Sequence, residues 1–386
     1  MNKEDLQIKQ ERVQCFLKEQ AVEACLISSF INTYYLTGKV FDGYIYLPNE
    51  GEPIYFVRKP ATIKDERVVF IYKPEDIPAL LKERNITLPK TIGLEADQLT
   101  YNEYIRLEAI FNPEKVANAT AVLRRARIIK TSWEIEQFRY SAVRHSEVYS
   151  KVPSLFRPGM TDLEFQYEIE HAMRQHGSIG VFRAFGSNMD IFMGSLLTGD
   201  NAGAPSPCDF ALGGGGSHAC LPIGANGSLI KEGQSVMVDM AGNFTAYLTD
   251  MTRVYACGTL PDIAYRAHQV SVDMHQWLME EGKPGLSCAT IYTQSLEMAK
   301  AANLSDYFMG TTQQAKFVGH GVGLEINELP VMTGRSKDLL QAGMVFAYEP
   351  KFVLPEIGAV GIENTYLVTD TGLEKLTISE EAICEL

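Results

Sequence analysis

No Cys-x-x-Cys pair occurs among the seven cysteines, which stand scattered at positions 15, 25, 208, 220, 257, 288 and 384. An odd, dispersed set excludes a disulfide framework and a zinc ribbon. Positive charge is scarce as well. Lys and Arg total 35 against 48 Asp and Glu, a formal −13, so nucleic acid is not an expected partner, because phosphate binding needs basic patches. Apolar runs are short: Val68 to Tyr72, one of the longest, falls far below the ~20 residues of a membrane span, and no membrane partner is expected. Behind Met1, the stretch NKEDLQIKQER lacks the apolar segment of a secretory signal. A phosphate loop is excluded because Gly213 to Gly216 runs into Ser217-His218, without the Gly-Lys-Ser/Thr such a loop requires. No Gly-x-Ser-x-Gly nucleophile elbow is present either. The expectation is a cytoplasmic, globular protein.

What is present is enough apolar residue, 46% over 386 positions, to build about two domains. Leu6 to Gln20 reads as an amphipathic helix and Ala24 to Ser28 as a buried strand. Tyr44 to Leu47 and Pro53 to Val57, across Asn49-Glu50-Gly51, read as a hairpin. Further strands are expected at Arg67 to Tyr72 and Thr91 to Leu94. The basic stretch Leu123 to Lys130 marks a boundary, giving domains 1–125 and 126–386, and Thr131 with Glu134 forms a capping box for the next helix. In the second domain an echo occurs. Pro158-Gly159-Met160-Thr161 and Pro284-Gly285-Leu286-Ser287 each precede a helical pattern, then glycine-rich chain, then an apolar hairpin, at 234–255 and 344–369. Two such copies predict a pseudo-twofold α+β domain with its site between the halves.

Each hairpin carries a pair of carboxylates. Asp239 and Asp250 flank a turn near 243–246, and Glu349 and Glu363 are centred on Glu356. Cross-strand partners share a face, so each pair should point to one side. Between the hairpins, His320 sits among glycines in VGHGVGLEINELP. Singly, an acidic residue in a strand is more often a hairpin end than a ligand. Four carboxylates and a His in one half are another matter. Like charges so placed need positive charge between them, and four carboxylates balance two divalent cations. Oxygen and imidazole donors without cysteine suit Mn foremost, or Co, Zn or Fe, and two such ions support hydrolysis.

The order Asp, D-x-T-R, G-H-G-x-G-L, E-P and I-E-[DN]-T resembles the M24 metallopeptidases, which include Xaa-Pro dipeptidase, aminopeptidase P and methionine aminopeptidase. The resemblance spans nearly the whole chain, and Ala24 to Gly38 (ACLISSFINTYYLTG) is similar to the creatinase-type N-terminal domain. It implies an α+β protein: a creatinase-like α/β domain followed by a pseudo-twofold pita-bread catalytic domain. It implies metal ligands at Asp239, Asp250, His320, Glu349 and Glu363, with Glu349 also taking the proton from a bridging water. It implies a homodimer and a small peptide substrate cut next to proline. Creatinase shares the fold without metal, but the intact ligand set here argues against that assignment.

Three positions depart from the pattern. A pocket His usual in prolidases is replaced by Asn327, which can donate a hydrogen bond to an oxyanion but cannot shuttle a proton. The Arg usual before the last ligand motif is Gly361. His218 fits the upstream pocket His by distance and by the following Pro222, whereas a gapless match puts Pro222 itself there. Tyr34, Tyr35, Phe182 and Phe185 could shape a proline-sized apolar pocket or pack in the core. A second reading therefore keeps the metals and changes the substrate, to a non-peptide small molecule acted on by a hydrolase or lyase. A third, a binding protein without catalysis, predicts lost ligands, and none is lost.

Overall fold

Asn2 opens the first helix, Lys3–Glu19, because its side-chain oxygen takes the Asp5 N–H at 2.8 Å. The cap lies outside the apolar pattern, so the helix begins three residues before the Leu6 expected from periodicity. In the computed structural model, which describes residues 1–186 and 189–386, the chain divides into two units, Met1–Arg127 and Ile128–Leu386.

The first unit is built on a six-stranded mixed sheet. Its order across the sheet is Val68–Phe70, Ile54–Lys59, Asp42–Pro48, Ala24–Ile27, Thr91–Leu94 and Lys115–Asn118. The expected hairpin forms antiparallel between Asp42–Pro48 and Ile54–Lys59. Lys115–Asn118 had no signal in the sequence: it is an edge strand with no fully buried position. Helix Phe30–Thr37 has no clear sequence signal either, being short and held by a tertiary contact. Buried Glu95 accepts from the N–H groups of Ser28 and Ser29 and from the Asn32 amide at 2.6–2.8 Å.

The second unit opens on the expected capping box. Glu134 accepts from the Thr131 N–H at 2.8 Å, Thr131 Oγ1 accepts from the Glu134 N–H at 3.3 Å, and helix Ser132–Tyr149 follows. Both echoed motifs also start helices, Asp162–Gln175 and Cys288–Ala301, capped by Thr161 and Ser287. A four-stranded sheet holds Cys384–Glu385, Thr249–Cys257, Gln234–Gly242 and Gly194–Thr198 in that order. A five-stranded sheet holds Glu328–Val331, Gly319–Gly321, Val345–Tyr348, Asn364–Val368 and Leu373–Lys375. The secondary structure is α+β, as expected. Among the described residues no helix is long and apolar enough to cross a membrane.

Register decides where the carboxylates point. In the first hairpin Asp239 faces Thr252 and Asp250 faces Ala241. The two Asp residues are therefore diagonal neighbours on one face and not the direct partners that a turn at 243–246 implied. The connection runs from 243 to 248, since Gly242 pairs Thr249, which moves the centre by one residue. Packing holds this loop open: the Ser141 hydroxyl takes the Phe244 N–H, and the Gly323 carbonyl takes the Leu248 N–H. The second hairpin meets its expectation. Tyr348 pairs Asn364 and Lys351 pairs Gly361, so both ladders are centred on Glu356 and bring Glu349 opposite Glu363.

Candidate metal centre

The motif D-x-T-R and the motif I-E-N-T hold each other. Thr252 donates its hydroxyl to Glu363 Oε2 at 2.7 Å. Arg253, buried, donates to the carbonyls of Thr252 (2.8 Å) and Glu363 (2.9 Å) and to Asn364 Oδ1 (2.8 Å). Thr365 Oγ1 accepts from the Asp250 N–H and donates to the Asp250 carbonyl, both at 2.8 Å. Behind them His275 bridges the Tyr366 hydroxyl (2.7 Å) and the Ile362 carbonyl (3.0 Å). Two strands from different sheets are thus clasped at the backbone, which fixes the carboxylates with little freedom. Replacing Arg253 with Met leaves buried acceptors without a donor. At ~1–3 kcal/mol for each buried unsatisfied group, about 3 kcal/mol should be lost. The melting midpoint of the metal-free protein should fall by roughly 6–12 °C at ~2–4 °C per kcal/mol for a unit of this size. A thermal scan in which Arg253→Met matches the parent would remove this residue from the clasp.

All five residues singled out in the sequence converge. Asp250, His320 and Glu363 offer ligand atoms within 4.8 Å of one another, and so do Asp239, Glu349 and Glu363. His320 Nε2 lies 3.4 Å from Glu349 Oε1 and 3.8 Å from Asp250 Oδ2. The side chains of Glu363 and Glu349 are 1% and 5% exposed while that of Asp239 is 23% exposed, so the cluster opens on the Asp239 side.

A sixth residue, absent from the sequence reading, lies among them. Lys351 Nζ is 2.8 Å from Glu349 Oε2, 2.9 Å from Asp239 Oδ2 and 3.1 Å from Glu363 Oε2, with its side chain wholly buried. It follows Glu349 by two residues, but Pro350 and the break between strands Val345–Tyr348 and Lys351–Leu354 lie there, so strand alternation alone did not mark it.

The charges settle unevenly. Burial opposes a charged Lys351, but Asp239, Glu349 and Glu363 hold its pKa well above the ordinary lysine value. Burial would raise the Glu349 carboxyl, yet Lys351 and His320 bring it down to about 2. Burial pushes Glu363 up to about 8, against the pull of Lys351 and with the push of Glu349. Burial, then the carboxylates of Glu363 and Asp239, put Asp250 well above its usual range. For His320 burial acts downward, but the Glu349 carboxylate wins and the pKa is raised. The need for more positive charge is therefore concentrated at Asp250 and Glu363. Glu363 Oε1 also stays buried with no hydrogen-bond partner among the described residues. An orphaned oxygen on the carboxylate that converges with Asp250 and the His320 imidazole makes a donor set that fits a divalent cation.

The other two expected residues, Asn327 and His218, have hydrogen-bond partners of their own. Asn327 does not present a free amide. It accepts the Phe185 N–H at 2.7 Å and donates to the Phe185 carbonyl at 2.8 Å, clasping segment 183–185 beside the Ile326 N–H, which bonds the Arg183 carbonyl. His218 is exposed in a turn, its Nδ1 accepting the Cys220 N–H at 3.1 Å, and it is not among the groups that converge. The four glycines from Gly213 to Gly216 are tied down. Gly215 donates to Asn201 Oδ1, Gly213 and Gly216 bond Gly224, and a Cβ at Gly216 would come 2.0 Å from the Leu221 carbonyl. Close backbone approach is what these glycines provide. Gly361 has φ +121°, and a Cβ there would lie 2.6 Å from the Pro350 carbonyl, so the usual Arg cannot stand on this backbone.

The family model described as metallopeptidase family M24 matches residues 136–370, and that of the creatinase/prolidase N-terminal domain matches 9–129. The Xaa-Pro dipeptidase of Pyrococcus furiosus is 24% identical over 380 residues, covering 97% of this chain and 98% of that protein. Among solved structures, an Xaa-Pro dipeptidase from Bacillus anthracis superposes with a TM-score of 0.80 at 22% identity, over 99% of this chain and 100% of that one. An X-Pro aminopeptidase from Thermotoga maritima gives 0.79 at 20%, over 95% and 99%. The fold of these proteins, a creatinase-type N-terminal domain and a pita-bread catalytic domain, is the fold of this chain.

Proposed function

This chain is an enzyme belonging to metallopeptidase family M24, and from that premise we propose that it hydrolyses the peptide bond next to proline in short peptides, in the manner of an Xaa-Pro dipeptidase or aminopeptidase P. The observation that carries the reading is the convergence of Asp239, Asp250, His320, Glu349 and Glu363 in one cluster, buried except toward Asp239, with Glu363 Oε1 left without a hydrogen-bond partner among the described residues. The preference for proline follows the similar proteins, named Xaa-Pro dipeptidase and X-Pro aminopeptidase.

Asp250, His320 and Glu363 would hold a divalent ion, Mn foremost. Such an ion supplies Lewis acidity to a water and to a scissile carbonyl. Glu349 is held ionised beside Lys351 and so can take the proton of the attacking water. Thr252 and Arg253 keep Glu363 aimed. Asn327 positions the 183–185 segment, with Phe185 brought beside Ile326 and Asn327 as a candidate apolar wall for a proline ring. His218, exposed as it is, would reach a substrate at the rim.

The test is a panel of Xaa-Pro dipeptides, longer Xaa-Pro peptides and non-proline controls, given to protein reconstituted with Mn, Co, Zn or Fe. Product masses should show cleavage before proline and none in the controls, and their lengths separate dipeptidase from aminopeptidase. A second reading, a non-peptide hydrolase or lyase, draws on the engaged amide of Asn327 and the missing cation at Gly361. It takes over if metal binds and no proline peptide is cut.

A further inference from the structure

Lys351 divides the cluster into two unlike halves. On one side its Nζ lies 2.8–3.1 Å from one oxygen each of Asp239, Glu349 and Glu363. An ammonium has three N–H donors and no acceptor, so these three contacts satisfy it completely. A divalent ion serving the same three residues would need their oxygens at about 2.0–2.2 Å, in the space the nitrogen fills. The other side has no such occupant: Asp250 and His320 converge with Glu363, whose Oε1 is buried without a partner among the described residues. We propose that the Lys351 ammonium stands in the place of one of the two cations expected of this site, so that the chain holds a single divalent ion on the Asp250–His320–Glu363 side. The inference deepens the proposed function and rests on that reading's assumption that the site takes metal.

Three further observations bear on it. Glu363 serves both halves with different oxygens, Oε2 going to Lys351 and Thr252 and Oε1 remaining free for the ion. Lys351 cannot readily leave. Its side chain is wholly buried, and its backbone is fixed by pairing with Gly361 and by the Met309 N–H, which bonds the Lys351 carbonyl at 2.8 Å. The pairing also accounts for Gly361. The two positions face each other across the ladder, and the cation missing from one strand is present on the other, pointed at the carboxylates. An ammonium contributes one positive charge where a metal would contribute two. Its presence keeps the four carboxylates from confronting one another unrelieved when the single ion is removed.

The experiment is to count ions. The full chain is stripped with chelator, reconstituted with excess Mn, desalted, measured by elemental analysis, and examined by electron paramagnetic resonance. One Mn per wild-type chain with an uncoupled signal is expected. Two per wild-type chain, with the exchange-coupled signal of neighbouring ions, overturns the proposal without need of any variant. Lys351→Ala opens the space and should raise the count from one to two and bring in the coupled signal. A folded Lys351→Ala that stays at one ion also overturns it. No bound Mn in the wild type removes the metal reading together with this inference. One bound Mn without cleavage of any proline peptide removes only the substrate assignment.

Discussion

Asp250→Ala should lower turnover by about a thousandfold or more. A bound divalent ion stabilises developing charge by several kcal/mol, and each ~1.36 kcal/mol is a factor of ten in rate. Asp250 is the carboxylate least supplied with positive charge by the protein, since burial, Glu363 and Asp239 all disfavour its ionised form. It therefore depends most on the ion, and the ion on it. The variant should lose the metal along with activity, while the metal-free protein becomes more resistant to heat because one member of a mutually repelling set is gone. Metal content, rate and melting point measured on one preparation separate these effects. Wild-type turnover in Asp250→Ala would end the assignment of this cluster as the active centre.

Glu349→Gln should cut turnover by roughly a hundred- to ten-thousandfold with little change in KM, the loss typical of removing a general base. Gln keeps the shape of the side chain and an oxygen near His320, but it cannot take a proton. The residue lies on the side of the cluster that Lys351 occupies, so the ion on the Asp250 side should remain bound. Retained metal with lost turnover marks a base. Lost metal marks a ligand, and a rise in KM alone marks a substrate contact that leaves the proton acceptor to be found elsewhere.

Much of this site was legible because its information is local or periodic. The alternation of strands puts Glu349 and Glu363 on one side of a hairpin whose centre can be found by counting, and the ladders from Tyr348–Asn364 to Lys351–Gly361 keep that centre. The capping box at Thr131 is a three-residue relation and appeared as written. Where the outcome depended on distant chain, the sequence was mute or misleading. The centre of the first hairpin moved by one residue, and the partner of Asp239 by two, because Ser141 and Gly323 hold its loop. Asn327, read as a candidate oxyanion donor, has its amide engaged by the backbone of Phe185, 142 residues away. The glycines at 213–216, suggestive of flexibility, are fixed against Gly224.

By itself, then, the sequence determined that four carboxylates and a histidine share one half of an α+β chain, at spacings that two hairpins turn into one cluster. Strand periodicity makes that a matter of counting. Only the tertiary structure decided how the cluster is charged. Lys351 looks in the sequence like any lysine near a strand end, a residue type that is ordinarily solvated. Its burial follows from the packing of two sheets, and its three carboxylate partners come from positions 239, 349 and 363, which meet only after both hairpins are in place. A long-range electrostatic fit has no period and no motif, so it is fixed by the folded chain alone.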